Sequence, residues 1–206
     1  MVRLMADDLG GGRPRPVVRR LRQILDALHL ARARYAVVGA VAMGVHGVRR
    51  FTEGIDILVD GSDLQGALAE LRRAFREIGR EPAEGAPLQI KLRSRRARGP
   101  EGVDIDVLVP MDAAETWALA TAVRARLGGH KADVASVEGL IVLKLRAYPS
   151  DPLSRDGLKH RADAARLVQT TRFDLGALRR FLRGSADLAA ELDRLLAAPP
   201  PRGRAR

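Results

Sequence analysis

Hydrophobic and polar positions alternate along this chain in blocks whose period changes repeatedly, and each block predicts one element. "PVVRRLRQILDALHLA" places Val18, Leu21, Leu25 and Leu28 near helical spacing, and Pro16 suits a first turn, so a helix is expected. "YAVVGA" is a short buried strand. "AVAMGVHG" follows a Gly-Ala turn and reads as a helix ending near Gly47. "IDILV" is a second strand. Ser62 or Asp63 can cap a helix running to about Ile78, because Leu64, Leu68, Leu71 and Phe75 recur every three or four positions.

Further on the period becomes two. "PLQIKLRS" sets Leu88, Ile90 and Leu92 against Gln89, Lys91 and Arg93, and "VDIDVLVP" sets Val103, Ile105, Val107 and Val109 against Asp104, Asp106 and Leu108. With the basic turn "RSRRARGPEG" between them, the two strands read as an antiparallel hairpin. A helix over about Ala113–Leu127, a strand "ADVA" and a largely apolar helix "VEGLIVLKLRAY" capped by Ser136 come next. After the loop "PSDPLSRDG", three helices are expected at about 158–170, 174–183 and 185–197. The expected division is a flexible segment 1–15, a core 16–135, a helical part 136–198 and a disordered tail 199–206. No internal repeat is present. The fold class is α/β (α+β), a small mixed sheet flanked by helices.

Composition narrows the picture. The 206 residues are 46% hydrophobic and 30% charged, enough for a real core. No apolar run approaches the ~20 residues needed to span a bilayer. The N-terminus lacks a signal-peptide pattern, and there is no cysteine for disulfides or thiolate metal sites, so a cytoplasmic location is expected. The formal net charge of +11 favours polyanions. Only Lys91, Lys131, Lys144 and Lys159 are lysine, however, and an arginine skew with abundant Ala and Gly is what a GC-rich coding sequence gives whatever the function. Aromatic residues are 3% of the chain, poor for stacking on exposed bases.

The candidate chemistry is carboxylate chemistry. Period-two geometry puts Gly54, Asp56, Leu58 and Asp60 on one strand face, and Asp104 and Asp106 on one face of another. If the strands are neighbours, the carboxylates converge, and cations bound to nucleotide phosphates are the usual beneficiary. The small-residue turn at Gly39 and Ala40 precedes a helix, where backbone N–H groups can meet phosphate oxygens.

In order, "YAVVGAVAMGVHGVRRFTEGIDILVD", "VDIDVLVP" and "VASVEGLIVLKLRAY…KHRADAARL" resemble the nucleotidyltransferases of the polymerase-β-like superfamily, in particular the bacterial AbiEii-type abortive-infection toxin-like branch. The resemblance covers about residues 20–170. It implies a minimal nucleotidyltransferase fold and a metal-dependent transfer of a nucleoside monophosphate from a nucleoside triphosphate to a hydroxyl of a protein, an RNA or a small molecule. It further implies Mg²⁺ or Mn²⁺ as cofactor, and a toxin–antitoxin or phage-defence setting with a cognate antitoxin as partner. Carried over residue by residue, it makes Asp56 and Asp106 metal ligands and catalytic residues, with Asp104 as a shifted alternative for the third carboxylate. Gly39, Ala40, Arg50, Thr52 and Lys144 would bind the nucleotide, with Asp163 near Lys144. His46 packs or caps a helix end.

One departure is serious. Gly54 stands where the resembling family has its first aspartate, which removes a unit of negative charge and a ligand. Asp60 lies roughly 13 Å along the strand from Asp56 at ~3.3 Å per residue and is too far to replace it. A second reading therefore stands beside the first: a catalytically degraded relative that binds a nucleotide, an RNA or a protein.

Overall fold

The computed structural model describes residues 16–50, 52, 54–81, 88–94, 104–150 and 152–198. The expected flexible segment 1–15, the tail 199–206 and most of the basic turn, including Arg95, Arg96 and Arg98, lie outside the described residues. The elements are α1 (Pro16–Leu30), β1 (Tyr35–Val37), α2 (Gly39–Val45), β2 (Gly54–Val59), α3 (Leu64–Ala74), β3 (Phe75–Glu81) and β4 (Leu88–Ser94). They continue with β5 (Asp104–Val109), α4 (Ala113–Ala120), β6 (Val123–Leu127), β7 (His130–Val134), α5 (Val137–Ser150), α6 (Arg155–Thr170), α7 (Leu175–Leu182) and α8 (Ala186–Ala197). Among the described residues, seven strands join one mixed sheet in the order β3-β4-β5-β2-β1-β7-β6. No described helix is long and apolar enough to cross a membrane.

Two expected helices end earlier than the pattern suggests. Leu64, Ala67, Leu68 and Leu71 bury one face of α3, and Phe75 sits at the next helical repeat. The chain nevertheless turns extended at Phe75, because Phe75–Glu81 pairs antiparallel with β4 from Phe75↔Ser94 to Glu81↔Gln89. A buried Phe75 suits either conformation, so periodicity alone could not separate them. Likewise the helix expected to Leu127 stops at Ala120, and β6 returns along β7. The turn is Gly128-Gly129, at φ +56° and +92°, between the paired residues Leu127 and His130. Both positions need positive φ, which glycine supplies at no steric cost, and the Gly-Gly pair was the available signal for a hairpin.

The hairpin of β4 and β5 forms as expected, with Arg93↔Asp104 and Lys91↔Asp106 in register. Side chains cap several helices, the expected Ser136 among them. Ser136 Oγ accepts from Gly139 N at 3.0 Å, and Ser154, Asp112 and Asp174 accept the amides three residues on. Asp63 differs: it stands at the N-cap of α3, but its carboxylate accepts from the Arg34 amide at 2.8 Å instead.

The core is built on the sheet and on α5. Ile55, Ile57, Ile105 and Val107 are wholly buried on the sheet, and Leu140, Ile141, Val142 and Leu145 are buried on α5. α5 packs against α2, α4, α6, α7 and α8, which ties the C-terminal helices to the sheet. Trp117 of α4 stacks on Phe181 of α7 with ring centroids 4.4 Å apart.

Phe75 anchors the change from α3 to β3. Replacing it with alanine is expected to cost about 3–5 kcal/mol, read as a lowered urea midpoint with an unchanged slope. A loss under about 1 kcal/mol would show that the strand holds without its buried anchor.

Candidate active site

The site forms where β2 and β5 lie side by side. They run parallel, with Gly54↔Asp104, Ile55↔Ile105 and Asp56↔Asp106 in register. Adjacent strands sit ~4.8 Å apart, and registered residues share a face, so the Asp56 and Asp106 side chains emerge together. Both are half-buried, while Ile55, Ile57, Ile105 and Val107 fill the opposite face. Burial holds the Asp56 carboxyl above the usual carboxylate range, and the like charge of Asp106 pushes it the same way. Lys144, Arg50 and Lys159 act in the opposite sense.

The turn after β1 presses against this pair. Gly39 has φ +62°, and a Cβ built on it would fall 1.8 Å from Asp56 Oδ2 and 2.8 Å from its Cγ. No side chain fits there, so glycine is required both for the backbone angle and for the approach to Asp56. Val38 N donates to the Asp56 carbonyl at 2.9 Å, which fixes the turn to β2. Ala40 is buried at the start of α2.

A cationic group faces the carboxylates. Arg50 Nη1 donates to Asp163 Oδ2 at 2.5 Å, and Lys144 Nζ lies 3.4 Å from the same oxygen. Lys144 is 8% and Asp163 2% exposed, so this is a buried network and not a surface ion pair. Burial draws the Lys144 ammonium below the usual lysine value, with Asp163 acting in the opposite sense. Lys144 Nζ also meets His160 Nδ1 at 3.3 Å. An ammonium has only donors, so Nδ1 accepts and the ring's proton sits on Nε2.

The other sequence candidates are held elsewhere. Thr52 Oγ1 donates to the Gly54 carbonyl at 2.9 Å and accepts from its amide at 3.2 Å, so the hydroxyl sets the start of β2. Asp104 is held two-pronged by Arg93, at 2.6 Å from Nε and 2.8 Å from Nη2. His46 Nε2 hydrogen-bonds the Ala135 carbonyl at 2.8 Å and stands at the C-cap of α2, a packing and capping role. Asp60 accepts from Ser62 N and Oγ and lies 3.8 Å from Arg34, away from the pair. Lys159 and His160 escaped selection from sequence. The available signal was helical spacing: they lie four and three residues before Asp163 on α6, which puts them on its face.

Whether these residues suit a divalent cation can be judged from the donors. Asp56 and Asp106 offer two registered carboxylates, and the turn at Gly39, lacking a side chain, leaves the Asp56 carboxylate uncovered by a Cβ there. Mg²⁺ is commonly held by one or two carboxylates together with substrate phosphates, and this pair fits that pattern. Among the described residues, no group of three or more His, Cys, Asp or Glu side chains has a metal-holding arrangement.

Comparison with known families decides the lineage. The family described as nucleotidyl transferase AbiEii toxin, type IV toxin–antitoxin system, matches residues 23–201. The chain belongs to the AbiEii nucleotidyltransferase family. Solved structures agree on the fold. The antibiotic-resistance factor ANT(2″)-Ia, in its crystal structure with adenylyl-2″-tobramycin, is 16% identical with a TM-score of 0.58, covering 86% of this chain and 98% of that one. The solution structure of ANT(2″)-Ia gives 12% identity and a TM-score of 0.56, over 86% and 95%. A nucleotidyltransferase from Thermotoga maritima is 16% identical with a TM-score of 0.50, over 66% and 88%. Comparison with curated proteins gave no significant sequence match. The AbiEii chain thus has the polymerase-β-like nucleotidyltransferase fold.

Two outcomes follow from this geometry. Gly39→Ala is expected to lose at least about 1 kcal/mol in chemical denaturation, because its methyl group overlaps Asp56 at an unfavourable positive φ. Natural stability in that variant would mean that the turn relaxes freely. The second concerns His160. Burial, with Lys144 and Lys159 nearby, draws its pKa down from 6.5 to about 4, while Asp163 and Asp156 oppose. The unfolded chain then binds more protons between those values, so stability is complete above pH 6.5 and is lost as pH falls through about 4. His160→Gln is expected to flatten the acid limb of melting temperature against pH in that window. An unchanged limb would remove His160 as its source.

Proposed function

We propose that this AbiEii protein transfers a nucleoside monophosphate from a nucleoside triphosphate to a hydroxyl of an RNA, a protein or a small molecule. The observation that carries the reading is the registered pair Asp56 and Asp106, set opposite the cations Arg50, Lys144 and Lys159. One group suits a bound divalent ion and the other suits phosphate oxygens, and a triphosphate needs both. Membership of a nucleotidyltransferase family supports the same chemistry.

The roles follow from charge and position. Lys144 and Arg50, steadied by Asp163, neutralise the triphosphate and orient it across the strand ends. Lys159, exposed one turn before Asp163 on α6, adds charge where the pyrophosphate leaves. Gly39 and Ala40 bring the turn backbone close to Asp56, beside the phosphates. Asp106 accepts the proton of the acceptor hydroxyl. The acceptor oxygen bonds to the α-phosphorus, the bond from that phosphorus to the bridging oxygen breaks, and pyrophosphate departs with the electron pair. Asp56 and Asp106 would hold a Mg²⁺ or Mn²⁺ ion, which would supply Lewis-acid charge for the transfer. Thr52 acts through the backbone of Gly54. A cytoplasmic toxin–antitoxin or phage-defence setting, with a cognate antitoxin as partner, accords with the family.

One observation favours a second reading, a module that binds nucleotide, RNA or protein without chemistry. Gly54 brings no carboxylate to the site, and the neighbouring Asp104 is occupied by Arg93. Nucleotidyl transfer from labelled triphosphates, with Mg²⁺ or Mn²⁺, separates the two. The proposal expects activity in the natural protein and a loss of at least about 100-fold in Asp56→Ala, equivalent to ~2.7 kcal/mol of lost charge stabilisation. Activity confined to Gly54→Asp, with none in the natural protein, would favour the binding module.

A further inference from the structure

The strands β4, β5 and β2 lie side by side and set charges in rows. On β5, Asp104 and Asp106 share a face. Across the antiparallel pairing, Arg93 stands opposite Asp104 and Lys91 opposite Asp106. On the other side, Gly54 stands beside Asp104 and Asp56 beside Asp106. The row through Asp106 therefore contains two carboxylates and one ammonium. The row through Asp104 contains one carboxylate, one guanidinium and a glycine. Only the first row carries excess negative charge.

The second row is also chemically closed. Arg93 grips both oxygens of Asp104, at 2.6 and 2.8 Å, in the planar two-pronged geometry that suits guanidinium and carboxylate best. A cation seeking Asp104 would have to displace a permanently charged partner. Space is not what limits the Gly54 position: a Cβ there would meet only the Asp104 carbonyl oxygen, at 3.5 Å, an ordinary contact. The glycine is thus replaceable on steric grounds, and what it withholds from the site is charge.

We infer that the site holds a single divalent cation, on Asp56 and Asp106, and that Arg93 keeps Asp104 out of the ligand set. The inference rests on the reading of the site as a metal-dependent nucleotide site. Two ions ~4 Å apart need bridging and flanking carboxylates in excess of what one row provides. A single ion needs one or two carboxylates and the phosphates of the nucleotide. An aspartate at position 54 would extend negative charge into the second row, beside the first, and create room for a second ion.

Electron paramagnetic resonance of Mn²⁺ tests the count independently of turnover. Natural protein is mixed with each of the four α,β-methylene nucleoside triphosphates in turn, with two equivalents of Mn²⁺, and compared with the nucleotide alone. Expected is one ion bound per protein–nucleotide complex, with the spectrum of an isolated ion. Folded Gly54→Asp is expected to bind two, with a spin-coupled spectrum, and Gly54→Asn, matched in size but uncharged, to stay at one. A coupled pair in the natural protein overturns the single-ion count and leaves nucleotidyl transfer standing. No Mn²⁺ bound beyond what the nucleotide takes alone overturns both. Asp106→Asn must abolish the protein's share of binding; if it does not, the ion sits elsewhere and the assignment is wrong. The natural protein reads the number of ions and Asp106→Asn their place, so both can fail even where Gly54→Asp does not fold.

Discussion

Two carboxylates on neighbouring strands repel one another, and the sheet must hold them together regardless. At roughly 5 Å and an effective dielectric near 20, the repulsion is about 3 kcal/mol. Ile55, Ile57, Ile105 and Val107 lie on the other face of the same two strands, all fully buried. Each contributes about 1.5–3 kcal/mol on burial, so the apolar face outweighs the charged one by a clear margin. The parallel ladder of β2 and β5 then fixes the register, and a slip by one residue would exchange the two faces entirely. The chemistry is thus carried on the back of the core.

That arrangement propagates outward. The raised carboxyl of Asp56 reflects lost hydration and the nearby Asp106, and both conditions follow from the ladder. The turn at Gly39 can rest on Asp56 only because it lacks a side chain. Arg50 and Lys144 are oriented by Asp163, a buried carboxylate whose position depends on α6 packing on α5. Removing any one partner from such a network leaves an uncompensated charge in a poorly hydrated place. The cations and the carboxylates therefore stand in a pre-arranged opposition, with little reorganisation left for a substrate to drive.

Much of this was legible in the chain. The two-residue period of strands placed Asp56 on one face of β2 and Asp104 and Asp106 on one face of β5, and the ordered blocks pointed to the family that the comparison established. The strands β3 and β6 were not legible, because Phe75 and Leu127 satisfy the helical repeat as well as the strand that tertiary pairing selects. The Arg93–Asp104 grip was hidden for another reason. Hairpin register, which a sequence gives only approximately, decides which basic residue of β4 meets which carboxylate. Lys159 and His160 were in plain view but lay in a block, KHRADAARL, that was read for Asp163.

The hydrogen bond from Arg50 to Asp163 joins residues 113 positions apart, and this separation sets an order of assembly. Contacts distant in sequence carry the largest loop-closure entropy and form after local ones. During synthesis, at about 5–20 residues per second, β2 and β5 are available well before α6 has emerged. A nascent chain can therefore present Asp56 and Asp106 while Arg50 still lacks the carboxylate that orients it. The finished constellation exists only once Asp163 is in place, so a chain that stops short of α6 lacks the strut that aligns the basic half of the site.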